Sequence, residues 1–317
     1  MGGRAHTDER FAKVGEIELC YDELGDPQGE PILLVMGLGT QLIHWDPRFC
    51  AELGERGFRV IRFDNRDTGR STTIDAPPPS RAAMMLGIPR GLAYSLDDMA
   101  DDAAGLIEAL GLDSAHLTGV SMGGMIAQVA GYRHPDRVRS LALLSTSSGN
   151  RITSFPRLRA MTTLLAKPAR SRSEFIDNMM RTFEVIGSPD HPRDPEQERE
   201  FREVLGATWD RGHHSAGVAR QLHAITASGD RRKKLRGVRA PTLVIHGDAD
   251  PLVRPIAGRS VANAIPGAEL RVFPGMGHDM PPALFAEIAD AITENAHRSH
   301  EAARSNAGEP AAATARA

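Results

Sequence analysis

Residues 115–124 read Ala115-His116-Leu117-Thr118-Gly119-Val120-Ser121-Met122-Gly123-Gly124, and a helical pattern from Met122 to Arg133 follows directly. The first six residues have the length and apolar character of a buried strand. A Gly-x-Ser-x-Gly at the junction of strand and helix demands a sharp turn at Ser121. Glycines two positions to either side let the strand and helix backbones approach without Cβ clashes. A serine on such a corner presents its hydroxyl at the end of the strand, where a parallel sheet exposes its loops.

Working outward from this corner, apolar runs bounded by Gly, Pro and Asp recur at Pro31 to Met36, Phe58 to Phe63, Val138 to Leu144, Thr242 to His246 and Leu270 to Phe273. Phe11 to Tyr21 reads as an opening hairpin. Helical patterns stand between the runs at Pro47 to Arg56, Leu96 to Leu110, Pro255 to Ala264 and Pro282 to His297. The best of these places Leu96, Met99, Ala100, Ala103, Leu106, Ile107 and Leu110 on one face. Ser95 is its expected N-cap, with Asp98 three residues on, and Gly111 its stop. The alternation predicts an α/β protein with a mostly parallel eight-stranded sheet and flanking helices.

The alternation breaks once, between Thr146 and Gly237, where roughly ninety residues carry helical patterning and no strand. Structureless loops of that length do not belong in a compact domain, so this block is expected to be an inserted helical cap. The expected division is a core over 1–146, a cap over 147–236, the rest of the core over 237–297 and a disordered tail over 298–317. The tail is assigned on its Ala, Ser, Asn, Gly, Glu and Pro content, which lacks large apolar groups.

Composition narrows the function classes. The chain has 317 residues, 38 Lys plus Arg and 41 Asp plus Glu, and so a formal charge of −3. That balance gathers no phosphate backbone, and the one basic run, Arg231-Arg232-Lys233-Lys234, reads as a solvated helix end. Cys20 and Cys50 are too few for a disulfide framework, and without a Cys-x-x-Cys pair they imply no cysteine zinc site. Residues Met1 to Arg10 contain no apolar secretory segment, and His6 stands where a myristoylation signal wants Ser or Thr. No run of 18 apolar residues exists to span a membrane. The expectation is a cytoplasmic protein acting on a small molecule, with no nucleic acid and no transmembrane segment. The sequence fixes no oligomeric state.

A serine hydroxyl is a weak nucleophile until a base takes its proton, and the base must be oriented by a carboxylate. Both types stand after later strands: Gly247-Asp248-Ala249-Asp250-Pro251 follows one, and Pro274-Gly275-Met276-Gly277-His278-Asp279 the next. Asp250 is chosen over Asp248, which lies immediately at the strand end and is expected to cap the turn. His278 is the histidine in a glycine-rich loop after a strand. His246 reads as strand packing, His44 as a loop residue, and His213, His214 and His223 as cap residues. The order Ser121, Asp250, His278 is the chain order in which this kind of corner acquires its partners. An oxyanion hole needs two backbone N–H donors. Met122, after the serine, and Leu38, in Met36-Gly37-Leu38-Gly39, are the expected pair, with Gly37 the second choice for the latter.

From about Phe11 to His297 these features resemble the α/β-hydrolase superfamily. Val35-Met36-Gly37-Leu38-Gly39, Arg62-Phe63-Asp64-Asn65-Arg66-Asp67-Thr68-Gly69-Arg70-Ser71-Thr72 and Gly275-Met276-Gly277-His278 resemble a branch that includes aclacinomycin methylesterase and actinobacterial esterases or lipases. The superfamily's commoner His-Gly pair is Met36-Gly37 here, which removes a side-chain hydrogen bond and leaves the backbone donors. The resemblance implies that Asp64, Arg66 and Gly69 buttress the loop after the fourth strand. It implies a serine hydrolase of carboxylic esters working through an acyl-enzyme, with no metal or organic cofactor. Lactonases, perhydrolases, C–C bond hydrolases and acyltransferases keep the same triad, and a binding protein can keep the scaffold. Phe155, Leu158, Met161, Leu164, Leu165, Met179, Met180 and Phe183 of the cap either pack it onto the core or line an apolar pocket, which would favour small to medium hydrophobic esters.

Overall fold

The computed structural model describes residues 8–164 and 168–306. Its strands are β1 (Arg10–Val14), β2 (Ile17–Gly25), β3 (Glu30–Val35), β4 (Phe58–Phe63), β5 (Ala115–Val120), β6 (Val138–Leu144), β7 (Thr242–Gly247) and β8 (Glu269–Phe273). They form one eight-stranded sheet in the order β1-β2-β4-β3-β5-β6-β7-β8. β2 runs antiparallel to β1 and to β4, and every other pairing is parallel. The opening hairpin thus edges an otherwise parallel sheet.

Both faces of that sheet are covered, and β3 shows how the residues divide. Leu33 and Val35 join a core shared with α3 (Leu96–Ala109) and α4 (Met122–Arg133). Ile32 and Leu34 point the other way, to α1 (Pro47–Glu55) and α11 (Phe285–Asn306). All four are fully buried, each contributing about 1.5–3 kcal/mol of apolar transfer. α3 carries the expected capping: Asp98 N–H donates to Ser95 Oγ at 3.2 Å, and Ser95 N–H to Asp98 Oδ2 at 2.7 Å. Gly111 follows in left-handed conformation, φ 70°. α10 (Pro255–Ala262) lies along β7 and β8, and a short α2 (Arg81–Leu86) not anticipated from the sequence lies against α8 (Ser215–Ala227).

Between β6 and β7 the described chain forms α5 (Leu158–Leu164), α6 (Arg172–Ile186), α7 (Pro195–Gly212), α8 and α9 (Arg232–Leu235). α6 and α7 share a small core of Phe175, Met180 and Leu205. Two arginines tie this helical layer down. Arg211 of α7 reaches Asp64 at 3.0 Å, and Arg220 of α8 makes two 2.7 Å bonds to the buried Asp67. Breaking such a pair leaves an uncompensated buried charge, so the layer and the loop after β4 are fixed together.

The expected tail beginning at residue 298 is corrected. α11 continues to Asn306, because Arg298 bonds Glu269 and the Gly267 carbonyl at 3.1 Å each. The Ala, Glu and Arg of this stretch also have high helix propensity. Residues 307–317 lie outside the described part.

Candidate active site

Ser121 closes β5 and opens α4 with φ 56° and ψ −115°, a conformation side chains rarely adopt. The corner is held from both sides. Ser121 N–H donates to the Leu144 carbonyl of β6 at 2.9 Å, and its own carbonyl accepts from Thr146 Oγ1 at 2.7 Å. At Gly123 a Cβ would stand 2.0 Å from the Val35 carbonyl oxygen, and at Gly119 one would stand 2.3 Å from the Gly123 oxygen. Both obstacles are backbone. Gly123→Ala is therefore expected to lose at least about 2 kcal/mol of unfolding free energy in urea denaturation, and an equally stable variant would contradict this close approach.

His278 and Asp250 arrive from the ends of neighbouring strands. His278 Nε2 lies 3.1 Å from Ser121 Oγ, and its Nδ1 lies 2.7 Å from Asp250 Oδ2. Asp250 is wholly buried, and its other oxygen accepts from the N–H groups of Leu252 and Val253 at 2.9 Å each. Burial pulls the His278 imidazole toward neutrality, but the charge and hydrogen bond of Asp250, helped by the charge of Asp279, outweigh it. Its pKa stands above the usual histidine value. Asp248 Oδ1 accepts from Gly275 N–H at 2.7 Å, so it pins the histidine loop rather than orienting the ring. The expected three residues come together, although 157 positions separate the serine from the histidine.

The loop expected to carry the second oxyanion donor passes beside the serine. A Cβ on Gly37 would be 3.4 Å from that of Ser121. Its shape is fixed by Thr40 bonding back to the Gly37 carbonyl and by Gly39 N–H donating to Gln221 Oε1 at 2.9 Å. Asn65 Nδ2 donates to the Met36 carbonyl at 3.0 Å, a side-chain support in a loop that lacks the commoner histidine. Leu38 follows Gly37 here and lines the cavity over Ser121, and Met122 is the first residue of α4. Asp64 accepts from the N–H groups of Leu42 and Arg70, and Arg66 pairs with Asp102. At Gly69 a Cβ would meet the Asp64 carboxylate at 2.3 Å.

Sequence reasoning missed what the end of α6 does. His278 N–H donates to the Ile186 carbonyl at 2.7 Å. Ser188 Oγ accepts from Gly277 N–H at 2.8 Å and donates to Asp279, which also pairs with Arg193 at 3.1 Å. The end of α6 and the residues after it thus hold the histidine loop. Asp279 beside His278 was the available signal, but nothing in the chain announces its partners some ninety residues upstream.

The five other histidines weighed in the sequence have structural partners. His246 Nε2 lies 2.6 Å from the Val253 carbonyl, His213 stacks on Trp209, and His44, His214 and His223 bond within the loops and helices around them.

Over the serine lies a cavity of about 1430 Å³ that Gly37, Leu38, Ser121 and His278 help to line. Most of its wall is apolar, with Phe155, Met179, Phe183 and Phe201 from the segment between β6 and β7 and Val120 and Met125 from beside the serine corner. Met180 instead sits in the small core shared by α6 and α7, and Leu158 is 79% exposed. Leu165 lies outside the described residues.

The α/β hydrolase fold family matches residues 30–281. The chain is 28% identical to rhodomycin D methylesterase of Streptomyces peucetius over 305 residues, which cover 89% of this chain and 96% of that protein. Among solved structures, the enol-lactonase from Burkholderia xenovorans superposes with a TM-score of 0.67 at 26% identity, covering 92% of this chain and all of the other. A thermophilic esterase from Thermogutta terrifontis gives 0.64 at 25%, covering 92% of this chain and 99% of the other.

Proposed function

Because this chain belongs to the α/β hydrolase fold family, we propose that it is a serine hydrolase of carboxylic esters. Ser121 is the nucleophile, His278 the general base and then acid, and Asp250 the group that orients the imidazole. The observation that carries this reading is the hydrogen-bonded line from Asp250 through His278 to Ser121 Oγ, at 2.7 and 3.1 Å, beneath an apolar cavity.

The steps follow from that line. Ser121 Oγ attacks the ester carbonyl carbon as His278 Nε2 takes its proton. The negative charge on the former carbonyl oxygen is met by the N–H groups of Leu38 and Met122. Collapse of this tetrahedral species breaks the bond to the alcohol, and His278 returns the proton to it. Water, deprotonated by the same His278, then attacks the acyl-serine, and the acid leaves with Ser121 regenerated. Asp250 keeps the Nδ1–H tautomer throughout and stabilises the imidazolium. No step calls for a metal or organic cofactor.

The substrate is a small molecule with an apolar acyl body. The cavity exceeds the 300–1,000 Å³ of common ligand pockets, so an acid of ring-system size is accommodated. The likeness to rhodomycin D methylesterase makes the methyl ester of a bulky acid the first candidate, and the likeness to an enol-lactonase makes a lactone the second. The described residues form no helix long and apolar enough to cross a membrane. The cytoplasm is the compartment we assign, in keeping with two cysteines that are both free.

Methyl esters of graded acyl size, assayed beside a lactone and a peroxide-dependent oxidation, test this reading. The bulky aromatic methyl ester is expected to give the highest kcat/KM. Turnover of the lactone alone would move the assignment to the lactonases. Absence of turnover together with an unlabelled Ser121 after organophosphonate treatment would reject an activated serine.

A further inference from the structure

A second group of chemically capable side chains lies at the opposite end of the strands from Ser121. Glu30 opens β3, His116 is the second residue of β5, and His300 is on the last turns of α11. Their donor atoms all lie within 4.8 Å of one another. The two imidazoles flank one carboxylate: His116 Nε2 is 3.1 Å from Glu30 Oε2, and His300 Nε2 is 3.1 Å from Glu30 Oε1. From His116 to Ser121 the strand rises about 16 Å, so the cluster is remote from the ester chemistry.

We propose that Glu30, His116 and His300 bind one divalent transition-metal ion of the zinc class, tying the end of α11 to the starts of β3 and β5. Two imidazoles and a carboxylate are a donor set such ions take, with bonds of about 2.0–2.2 Å. Tetrahedral bonds of that length place donors about 3.4 Å apart, so donor atoms that lie within 4.8 Å of one another need close by no more than about 1.4 Å around an ion.

His116 is prepared for this role. It is 1% exposed, and its Nδ1 lies 2.8 Å from Ser140 Oγ. The serine hydroxyl either donates or accepts. In the free protein it donates to Nδ1 while Nε2–H donates to Glu30. When an ion takes the Nε2 lone pair, the proton stands on Nδ1 and the hydroxyl accepts it. A partner on the far ring nitrogen that holds the tautomer is the usual support of a metal-binding histidine. Glu30 and His300 are about 40% exposed, which leaves an entry path and room for a water as fourth ligand. The opposing charge is Arg139, which is held by Ser114 at 3.0 Å. His297 is exposed, with its ring 6.1 Å from that of His300, and is not counted among the donors.

Calorimetric titration of the untagged, full-length protein with Zn(II), and visible absorption with Co(II), test the site. One ion per chain is expected, with the ligand-field bands of a tetrahedral Co(II) centre. His300→Ala and Glu30→Gln, both at half-buried positions, are each expected to weaken binding at least about 10-fold, as is the hydrogen-bond variant Ser140→Ala. His278→Asn should keep the same stoichiometry, which separates this site from the catalytic histidine. Ester hydrolysis by metal-free His300→Ala should match the parent. Binding unchanged in both His300→Ala and Glu30→Gln, or no saturable binding at micromolar ion, would overturn the proposal.

Discussion

Ser121→Ala is expected to lower kcat/KM for the best ester by on the order of 10⁴-fold or more while the urea midpoint stays within error of the parent. The loss is large because the hydroxyl supplies the bond that splits one difficult step into two, and among the described residues Ser121 is the hydroxyl hydrogen-bonded to His278 Nε2. Stability is preserved because the corner is held by backbone bonds from Ser121 N–H to Leu144 and from Thr146 Oγ1 to the Ser121 carbonyl. Alanine inherits both, together with the strained φ of 56°. Progress curves at high enzyme concentration and a denaturation series read the two halves separately. Near-parent turnover would dismiss Ser121 as nucleophile, and joint loss of fold and activity would show that its side chain is structural.

Asp250→Asn should lower kcat by about 10⁴-fold and also move the pH profile. In the parent, burial works against the imidazolium, but the Asp250 carboxylate and the charge of Asp279 raise the His278 pKa above 6.5. The free base needed to accept the serine proton is thus populated only above that raised value, and kcat/KM falls as pH drops through it. Asparagine removes the main upward push and leaves desolvation, so the acid limb of the residual activity shifts to lower pH. Its amide oxygen can still accept from Leu252 and Val253 N–H, so the turn survives and the effect is electrostatic and tautomeric. A variant with parental kcat and an unmoved limb would remove Asp250 from the orienting role.

The local parts of this molecule were legible because their causes are local. β4, β5, β6 and α4 run as the apolar patterns predict, since period and turn residues are written within each segment. Ser121, Asp250 and His278 were legible for a related reason: each follows a strand of the same sheet, and parallel strands deliver their ends to one edge. What escaped depends on pairs far apart in the chain. Arg211 and Arg220 find Asp64 and Asp67 across 147 and 153 positions, and no residue near either aspartate marks its partner. The support of the histidine loop by Ile186, Ser188 and Arg193 is of the same kind. Cysteine arithmetic directed attention away from metals, yet Glu30, His116 and His300 have no common spacing by which a pattern would find them. The end of α11 was misjudged because composition weighs core-forming side chains and overlooks a helix anchored by Arg298.

The order of the three residues along the chain also sets a schedule for biosynthesis. Ser121 is made first, helices α5 to α9 next, and Asp250 and His278 later, with 157 positions between Ser121 and His278. At ribosomal rates of about 5–20 residues per second, the serine waits roughly 10–30 s for the imidazole that would activate it. Throughout that interval the nascent protein carries an ordinary alcohol, inert toward the esters around it. The interruption of the core therefore places the synthesis of Asp250 and His278 after that of all five helices between β6 and β7.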